Sequence, residues 1–216
     1  MHYFLISATG KSSGKTAVSA GLAAALSRRG MKVAPFKKGP DYIDPMWLSQ
    51  AAGRICWNLD FFTMENDEIN ACFDQARQGA DVVLVEGTKG LHDGVDVNGK
   101  DSNAALAHQL GLPVVLVLDA RGITRGIAPL LQGTASFDTT IQIAGVILNF
   151  VAGERHEQKL RAALSRYTDI PVLGAIRHDP GMVIGERHLG LVTVSEHTYG
   201  QAQVDPTPDP TPTETL

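Results

Sequence analysis

The chain has 216 residues, of which 44% are hydrophobic and 19% are charged, a composition that predicts a globular protein with a substantial core. The formal net charge of −4 lacks the basic excess that is typical of nucleic-acid binding. The apolar runs are too short to cross a bilayer, and two cysteines cannot form a disulfide framework. We therefore expect a cytoplasmic protein with one folded domain and no membrane or nucleic-acid partner.

Short apolar runs alternate with longer amphipathic runs along the chain. Runs rich in valine, isoleucine and leucine predict strands at residues 2–6, 32–36, 80–85, 113–118, 143–148 and 171–176. Amphipathic runs predict helices at residues 17–28, 65–78, 103–110, 123–132 and 155–167. Continuous apolar strands that alternate with helices are typical of a doubly wound α/β fold with a mostly parallel sheet.

Two segments break this alternation. Residues 37–59 are polar, contain two prolines and show little periodicity, which predicts a long functional loop. Residues 200–216 are rich in proline and threonine and predict a disordered tail. We therefore expect a folded domain over residues 1–196, followed by a tail over residues 197–216.

A loop rich in glycine, serine and lysine follows the first predicted strand and precedes the first predicted helix. It is a variant of the phosphate-loop pattern, because Thr9 stands where the strict pattern has glycine. Lys15 would reach the β- and γ-phosphates of a nucleotide, and the Thr16 hydroxyl would bind Mg²⁺. A solvated connector is the other interpretation. The nucleotide-binding residues that this loop predicts are Thr9, Gly10, Lys11, Ser12, Ser13, Gly14, Lys15 and Thr16.

Acidic residues follow the predicted strands. Glu86 ends an apolar run, and because a buried carboxylate without a partner is costly, we predict that Glu86 binds metal or takes part in catalysis. Asp93 lies in a loop bracketed by glycines. Asp41 and Asp44 follow Lys37 in a segment that is either a solvated turn or a site for phosphate, metal and a carboxylate substrate.

These motifs resemble the ATP-binding domain of the cobyrinic and hydrogenobyrinic acid a,c-diamide synthases. The similar segments occur in the same order and are PFKKGPDYIDP at residues 35–45, NLD at 58–60, EGTKGLHDG at 86–94, GVILN at 145–149 and ERHLGL at 186–191. The resemblance implies the dethiobiotin-synthetase-like branch of the P-loop NTPases, with ATP and Mg²⁺ as cofactors. Lys11 and Lys89 look most like the members that are thought to amidate sirohaem.

The family implies a reaction. ATP phosphorylates a carboxylate on a tetrapyrrole side chain, and ammonia then attacks the acyl phosphate to give a carboxamide. By resemblance, Lys37 faces the γ-phosphate or the substrate carboxylate, while Tyr42 and Asp93 place that carboxylate. The catalytic residues so implied are Lys37, Asp41, Tyr42, Asp44 and Asp93. The implied metal ligands are Thr16, Glu86 and Asp44, with Asp41 as the alternative to Asp44.

Three further residues are implied near the nucleotide. Asn149 matches a position that reads adenine, and it fits a cap or turn residue equally well. Arg187 and His188 are expected close to the nucleotide, although His188 equally fits a packed histidine that bonds to backbone.

Full-length members of the family carry a glutaminase-like domain with a cysteine nucleophile on a glycine-bracketed turn. Cys56 and Cys72 have no flanking glycines and are expected to be half-buried structural thiols. We therefore expect this domain to be absent and ammonia to come free or from a separate glutaminase chain. The resemblance also suggests a homodimer.

Other functions share this fold branch. A nucleotide-switched dimeric ATPase of the partitioning or cell-division type carries a lysine where this chain has Gly10. A dethiobiotin-synthetase-like carboxylation would share Lys37 but does not account for the segment 39–45. A fragment of a longer protein, or a truncated remnant that binds ATP without catalysis, also stays open.

Overall fold

The structure, a computed structural model, describes residues 1–179 together with two short strands at residues 186–187 and 190–191. The predicted tail over residues 197–216 lies outside the described residues. In chain order the elements are β1 (His2–Ala8), α1 (Lys15–Arg28), β2 (Val33–Lys38), α2 (Asp44–Ala52), β3 (Trp57–Leu59), α3 (Asn66–Ala76), β4 (Val82–Glu86), α4 (Asn103–Leu110), β5 (Val114–Asp119), α5 (Ile127–Phe137), β6 (Ile143–Val151), α6 (Glu154–Tyr167), β7 (Val172–Arg177), β8 (Glu186–Arg187) and β9 (Gly190–Leu191).

Seven of these strands form one sheet in the order β3-β2-β4-β1-β5-β6-β7. Every neighbouring pair in this sheet is parallel, whereas β8 and β9 form a separate antiparallel pair. The predicted doubly wound, mostly parallel α/β fold is confirmed. Because parallel strands end at the same edge, the loops that follow β1, β2, β4, β5 and β6 meet there.

Helices cover both faces of the sheet. Side chains of α3, α4, α5 and α6 pack in one apolar cluster, and those of α1 and α2 pack in a second. Val83 and Val85 of β4 belong to the first cluster, while Leu84 between them belongs to the second. This alternation places the next residue, Glu86, on the α1 face, where the phosphate loop begins its helix.

The prediction of one long loop over residues 37–59 was wrong, because this segment contains α2 and β3. The carboxylate of Asp41 accepts hydrogen bonds from the backbone N–H groups of Ile43 (2.9 Å) and Asp44 (3.2 Å), which start the helix. Pro45 occupies the first turn, where a missing N–H group costs nothing. The residues that suggested an irregular segment are therefore the start signals of a short helix.

The bounds of α5 also differ from the prediction of residues 123–132, since this helix spans Ile127–Phe137. Within the described part of the chain, no helix has the length and apolar character needed to cross a membrane.

Candidate active site

A cleft of about 880 Å³ opens at the carboxyl edge of the sheet. This volume is in the range of pockets that bind small molecules. Its walls come from the phosphate loop, from the segment after β2, from the segment after β4, and from the ends of β5, β6 and β7. The predicted phosphate loop and the predicted acidic segments thus share one cavity, although Thr9, Gly10 and Asp93 are not among its lining residues.

Internal hydrogen bonds shape the phosphate loop. The Lys15 ammonium donates to the Gly10 carbonyl (3.2 Å), and the Ser13 hydroxyl donates to the same carbonyl (3.0 Å). The amide nitrogen of buried Asn149 donates to the Ser13 carbonyl (2.9 Å). Gly14 has a φ of +81°, and a Cβ atom there would collide with the Asn149 amide, so this position requires glycine. The conformation of the loop is therefore fixed by its own polar groups and by the Asn149 amide.

Lys37 lies at the centre of the charged end of the cleft. Its ammonium contacts the carboxylates of Asp44 at 2.5 Å and Glu86 at 2.9 Å, and that of Asp41 at 3.9 Å. Thr16 donates its hydroxyl hydrogen to the same Glu86 oxygen at 2.7 Å. These contacts join β2, β4, the start of α1 and the start of α2 in one buried network.

Burial and charge act in opposite directions on this network. Burial disfavours the charged form of Lys37, but Glu86 and Asp44 outweigh it and raise the pKa of the lysine above its ordinary value. Burial raises the pKa of Glu86, and Lys37 opposes this shift. Burial, followed by the charge of Asp44, also raises the pKa of Asp41. Lys37 therefore stays protonated and acts as a fixed positive charge.

Lys15 behaves differently from Lys37. Burial, reinforced by the positive charge of Lys37, lowers the pKa of Lys15 to about 8. In the described structure its ammonium has a backbone carbonyl, not a carboxylate, as its hydrogen-bond partner. The positive charge of Lys15 thus becomes favourable when an anion such as a phosphate enters the loop.

The oxygen donors near Thr16 fit a magnesium ion that also binds phosphate. Among the described residues, Glu86 Oε2 is buried and has no hydrogen-bond partner, so this oxygen is available to bind a cation. The described residues contain no group of three or more His, Cys, Asp or Glu that could hold a metal alone. Mg²⁺ usually takes one or two carboxylates, waters and substrate phosphates, which agrees with Thr16, Glu86 and Asp44 as its donors.

The structure brings together most of the predicted catalytic residues, but not Asp93. Tyr42 lines the cleft with 69% of its surface exposed, beside Asp41 and Asp44. Asp93 is exposed and is not among the residues that line the cleft. Its Oδ2 atom accepts a hydrogen bond from the Gly90 N–H group (2.9 Å), which holds the turn after β4. Its negative charge nevertheless acts on Lys15 and opposes the lowering of the pKa of that lysine by burial. Its assignment to the substrate carboxylate stays a prediction.

The predicted nucleotide residues fall into three groups. The cleft is lined by Lys11, Ser12, Ser13, Gly14, Lys15, Thr16 and Asn149, whereas Thr9 and Gly10 are not among its lining residues. The assignment of Asn149 to adenine stays a prediction, since its amide nitrogen binds the phosphate loop. For Arg187 only the backbone position in β8 is described, and His188 lies outside the described residues.

Asn103 was not predicted as a site residue, although it organises the cleft wall. This fully buried residue at the start of α4 donates from its amide nitrogen to the carbonyls of Thr88 and Gly90 (2.7 Å for Gly90). Its amide oxygen accepts from the Thr88 N–H group (3.0 Å). A signal was present, because Asn103 follows the helix-capping Ser102 and is the first residue of a helix whose next four residues are apolar.

The two thiols differ in burial. Cys72 is half-buried, as predicted, but Cys56 is fully buried. Burial, with a smaller effect of Glu86, raises the pKa of the Cys56 thiol above its ordinary value. Neither environment favours a reactive thiolate.

A family model described as the CobQ/CobB/MinD/ParA nucleotide binding domain (CbiA) matches residues 4–190. The chain belongs to this family. The chain is 54% identical over 191 residues to a cobyrinate a,c-diamide synthase from Magnetococcus marinus, covering 88% of the chain and 41% of that protein. It is 47% identical over 198 residues to a hydrogenobyrinate a,c-diamide synthase from Brucella ovis, covering 91% of the chain and 45% of that protein. The predicted resemblance is confirmed.

The chain spans less than half the length of both relatives. Among solved structures, the signal recognition particle 54 kDa protein from Aeropyrum pernix, in complex with GDP, is 20% identical and matches with a TM-score of 0.57. That match covers 84% of this chain and 42% of that one. It confirms the P-loop NTPase fold.

Proposed function

We propose that the chain is the ATP-binding part of an amidoligase that activates a tetrapyrrole carboxylate through an acyl phosphate. Ammonia, supplied free or by a separate glutaminase chain, completes the amide. The names of the relatives support a corrinoid substrate of the cobyrinate or hydrogenobyrinate type, and a sirohaem-type tetrapyrrole is a further candidate.

One observation carries this proposal, namely the buried contact of Lys37 with Asp44 and Glu86. Glu86 also accepts the hydroxyl hydrogen of Thr16, so the lysine lies next to the phosphate loop. A protein that only binds ATP needs the loop and a carboxylate for Mg²⁺. The additional fixed lysine supports a second anion beside the γ-phosphate, as the transfer of a phosphoryl group to a carboxylate requires.

The reaction proceeds in two steps, phosphorylation of the carboxylate and displacement of the phosphate by ammonia. A carboxylate oxygen of the substrate forms a bond to the γ-phosphorus of ATP, and the bond from that phosphorus to the β,γ-bridging oxygen breaks, which releases ADP. The nitrogen of ammonia then attacks the acyl carbon, the carbon–oxygen bond to phosphate breaks, and the nitrogen loses a proton. Phosphate leaves more readily than hydroxide, so the first step makes the second feasible.

The residues of the cleft have different roles in this reaction. Lys15 and the loop N–H groups bind the β- and γ-phosphates. The protonated Lys37 holds two anions, the γ-phosphate and the substrate carboxylate, close together without acting as a base. Thr16, Glu86 and Asp44 would hold Mg²⁺, which neutralises charge on the phosphates when bound. Tyr42, on the open side of the cleft, would contact the substrate.

A product assay tests the proposal. The purified chain is incubated with Mg-ATP, with ammonium or glutamine, and with cobyrinate, hydrogenobyrinate or sirohaem in separate reactions, and amides are sought by mass spectrometry. We expect an amide with ammonium for one of the three tetrapyrroles. ATP binding without any amide would overturn amidation by this chain.

Two variants control this assay. Lys15→Met should form no amide, because it removes the charge that binds the phosphates. Lys159→Met, at an exposed position of α6, makes the same chemical change far from the cleft and should form amide as the unaltered chain does. Equal activity of the two variants would show that the amide does not arise at the phosphate loop.

A further inference from the structure

Lys89 has a backbone conformation that is rare for its residue type. Its φ is +47°, in the left-handed region, where only glycine is free of steric cost. Asparagine and aspartate are the residues that otherwise tolerate this region, and lysine has no side-chain group that compensates for it locally. Such a conformation persists only where surrounding contacts impose it, and it is concentrated at functional sites.

The contacts that impose this conformation are on both sides of Lys89. The buried Asn103 amide binds the N–H and carbonyl groups of Thr88 on one side and the carbonyl of Gly90 on the other. The Gly90 N–H group donates to Asp93, and the Leu91 N–H group donates to the Ala8 carbonyl at 2.7 Å. The peptide groups around Lys89 are therefore fixed before any ligand binds.

The fixed backbone presents the Lys89 side chain at the cleft. Lys89 is exposed and lines the cleft, and among the described residues it makes no ion pair. Lys37, by contrast, is buried and contacts two carboxylates of this chain. The Lys37 ammonium also lies 3.4 Å from the carbonyl of Gly87, two residues before Lys89. The same segment thus borders the charged network and carries an uncompensated cation.

We propose that Lys89 binds a second carboxylate of the substrate, distinct from the carboxylate that reacts beside Lys37. This assignment rests on the proposed function and makes it more specific, because it requires a substrate with at least two carboxylates. If the Lys89 side chain had no binding role, glycine at position 89 would adopt the same positive φ with less strain. A flexible lysine at the rim suits a carboxylate on a large substrate, whereas the phosphates already have Lys15, Lys37 and the loop N–H groups.

Equilibrium dialysis of cobyrinate against the full chain tests this assignment, in the presence of Mg²⁺ and a non-hydrolysable ATP analogue. Hydrogenobyrinate or sirohaem replaces cobyrinate in every measurement if the unaltered chain binds one of these instead. For Lys89→Gly we expect the Kd of cobyrinate to rise about tenfold, as for the loss of one charge-assisted hydrogen bond. The Kd of the ATP analogue should not change. The melting temperature should equal or exceed that of the unaltered chain, because relief of the left-handed strain offsets the greater freedom of the unfolded chain.

Two further variants make the result specific. Lys89→Arg keeps the charge and should keep the affinity for cobyrinate. Lys100→Gly makes the same exchange at an exposed turn residue outside the cleft, where φ is not positive. It should lower the melting temperature slightly and leave the Kd of cobyrinate unchanged.

The outcomes separate this assignment from the proposed function. If the unaltered chain binds cobyrinate and Lys89→Gly binds it equally well, the assignment of Lys89 is wrong and the proposed function stands. A weaker Kd for the ATP analogue instead of cobyrinate would also overturn it, since Lys89 would then bind the nucleotide. If the unaltered chain binds no cobyrinate, hydrogenobyrinate or sirohaem, the proposed function and this assignment both fail.

Discussion

Lys37 and Lys38 are neighbours on β2, and both are buried, with 2% and 6% of their surfaces exposed. Because side chains alternate along a strand, they lie on opposite faces of the sheet. Lys37 meets two carboxylates, which raise its pKa. The ammonium of Lys38 lies 3.5 Å from the Thr88 hydroxyl and 5.9 Å from the centre of the Phe61 ring, and burial lowers its pKa.

The difference between these two faces shows that burial alone does not identify a functional lysine. What separates Lys37 from Lys38 is the set of partners that converges on each ammonium from other parts of the chain. On one face these partners are carboxylates beside the phosphate loop, and on the other they are a hydroxyl and an aromatic ring. The predictions that follow test this difference.

Replacement of Lys37 should have the largest effect. Lys37→Met leaves Asp44 and the fully buried Glu86 without their positive partner, so we expect loss of amide formation and of about 3 kcal/mol of unfolding free energy at neutral pH. Denaturation with urea measures the second quantity. Burial already raises the pKa of Glu86, and without Lys37 the folded state binds a proton more tightly than the unfolded state does. The loss of unfolding free energy in Lys37→Met should therefore become smaller as the pH falls. A loss that did not change with pH would contradict this explanation.

The pH dependence of nucleotide binding should be intermediate in size. Phosphates bind the protonated form of Lys15, whose pKa is about 8 in the ligand-free protein. The affinity for Mg-ATP should therefore be constant well below this pH and should fall above it, by at most about tenfold per pH unit. Calorimetric titrations at several pH values measure the change. In Lys15→Arg, any remaining affinity should lose this dependence, because the guanidinium stays charged.

Replacement of Lys38 should have the smallest effect. Lys38→Met removes a buried charge that makes no ion pair among the described residues, and it keeps most of the side-chain volume. We expect the unfolding free energy to rise by up to about 1 kcal/mol and amide formation to stay normal. This variant is the matched control for Lys37→Met. If both variants lost activity to the same degree, the distinction between the two faces would be wrong.

Several features of the site could be predicted because their evidence is local. Lys15 and Thr16 lie in a contiguous motif between a strand and a helix, and Glu86 directly ends an apolar strand. The segment that holds Lys37 and Asp44 was compatible with a shared site and with a solvated turn, and the structure brings the two side chains together. Each of these residues lies at or after the end of a strand. The apolar runs of the sequence mark where the strands end, so these positions could be predicted directly.

Other features depend on contacts between distant parts of the chain. The role of Asn103 is defined by backbone groups of residues 88–90, which no local pattern links to α4. The carboxylate of Asp93 accepts a hydrogen bond from the Gly90 N–H group, a contact that its glycine-bracketed loop did not specify, and its charge also acts on Lys15. The helix α2 was missed because Asp41, whose carboxylate accepts the N–H groups of Ile43 and Asp44 at the start of the helix, was taken for part of an irregular loop.

The position of β3 at the edge of the sheet has a further consequence. β3 has three residues and, among the described strands, is bonded only to β2. Asp44 belongs to α2, the helix that precedes β3 and packs against α1 and β2. Local unfolding of the segment 44–59 would separate Asp44 from Lys37 while β1, β4 and β5 stay paired. Amide hydrogens of α2 should therefore exchange faster than those of the central strands. Under mild denaturation the protein should lose amide formation from the substrate carboxylate before it loses nucleotide binding.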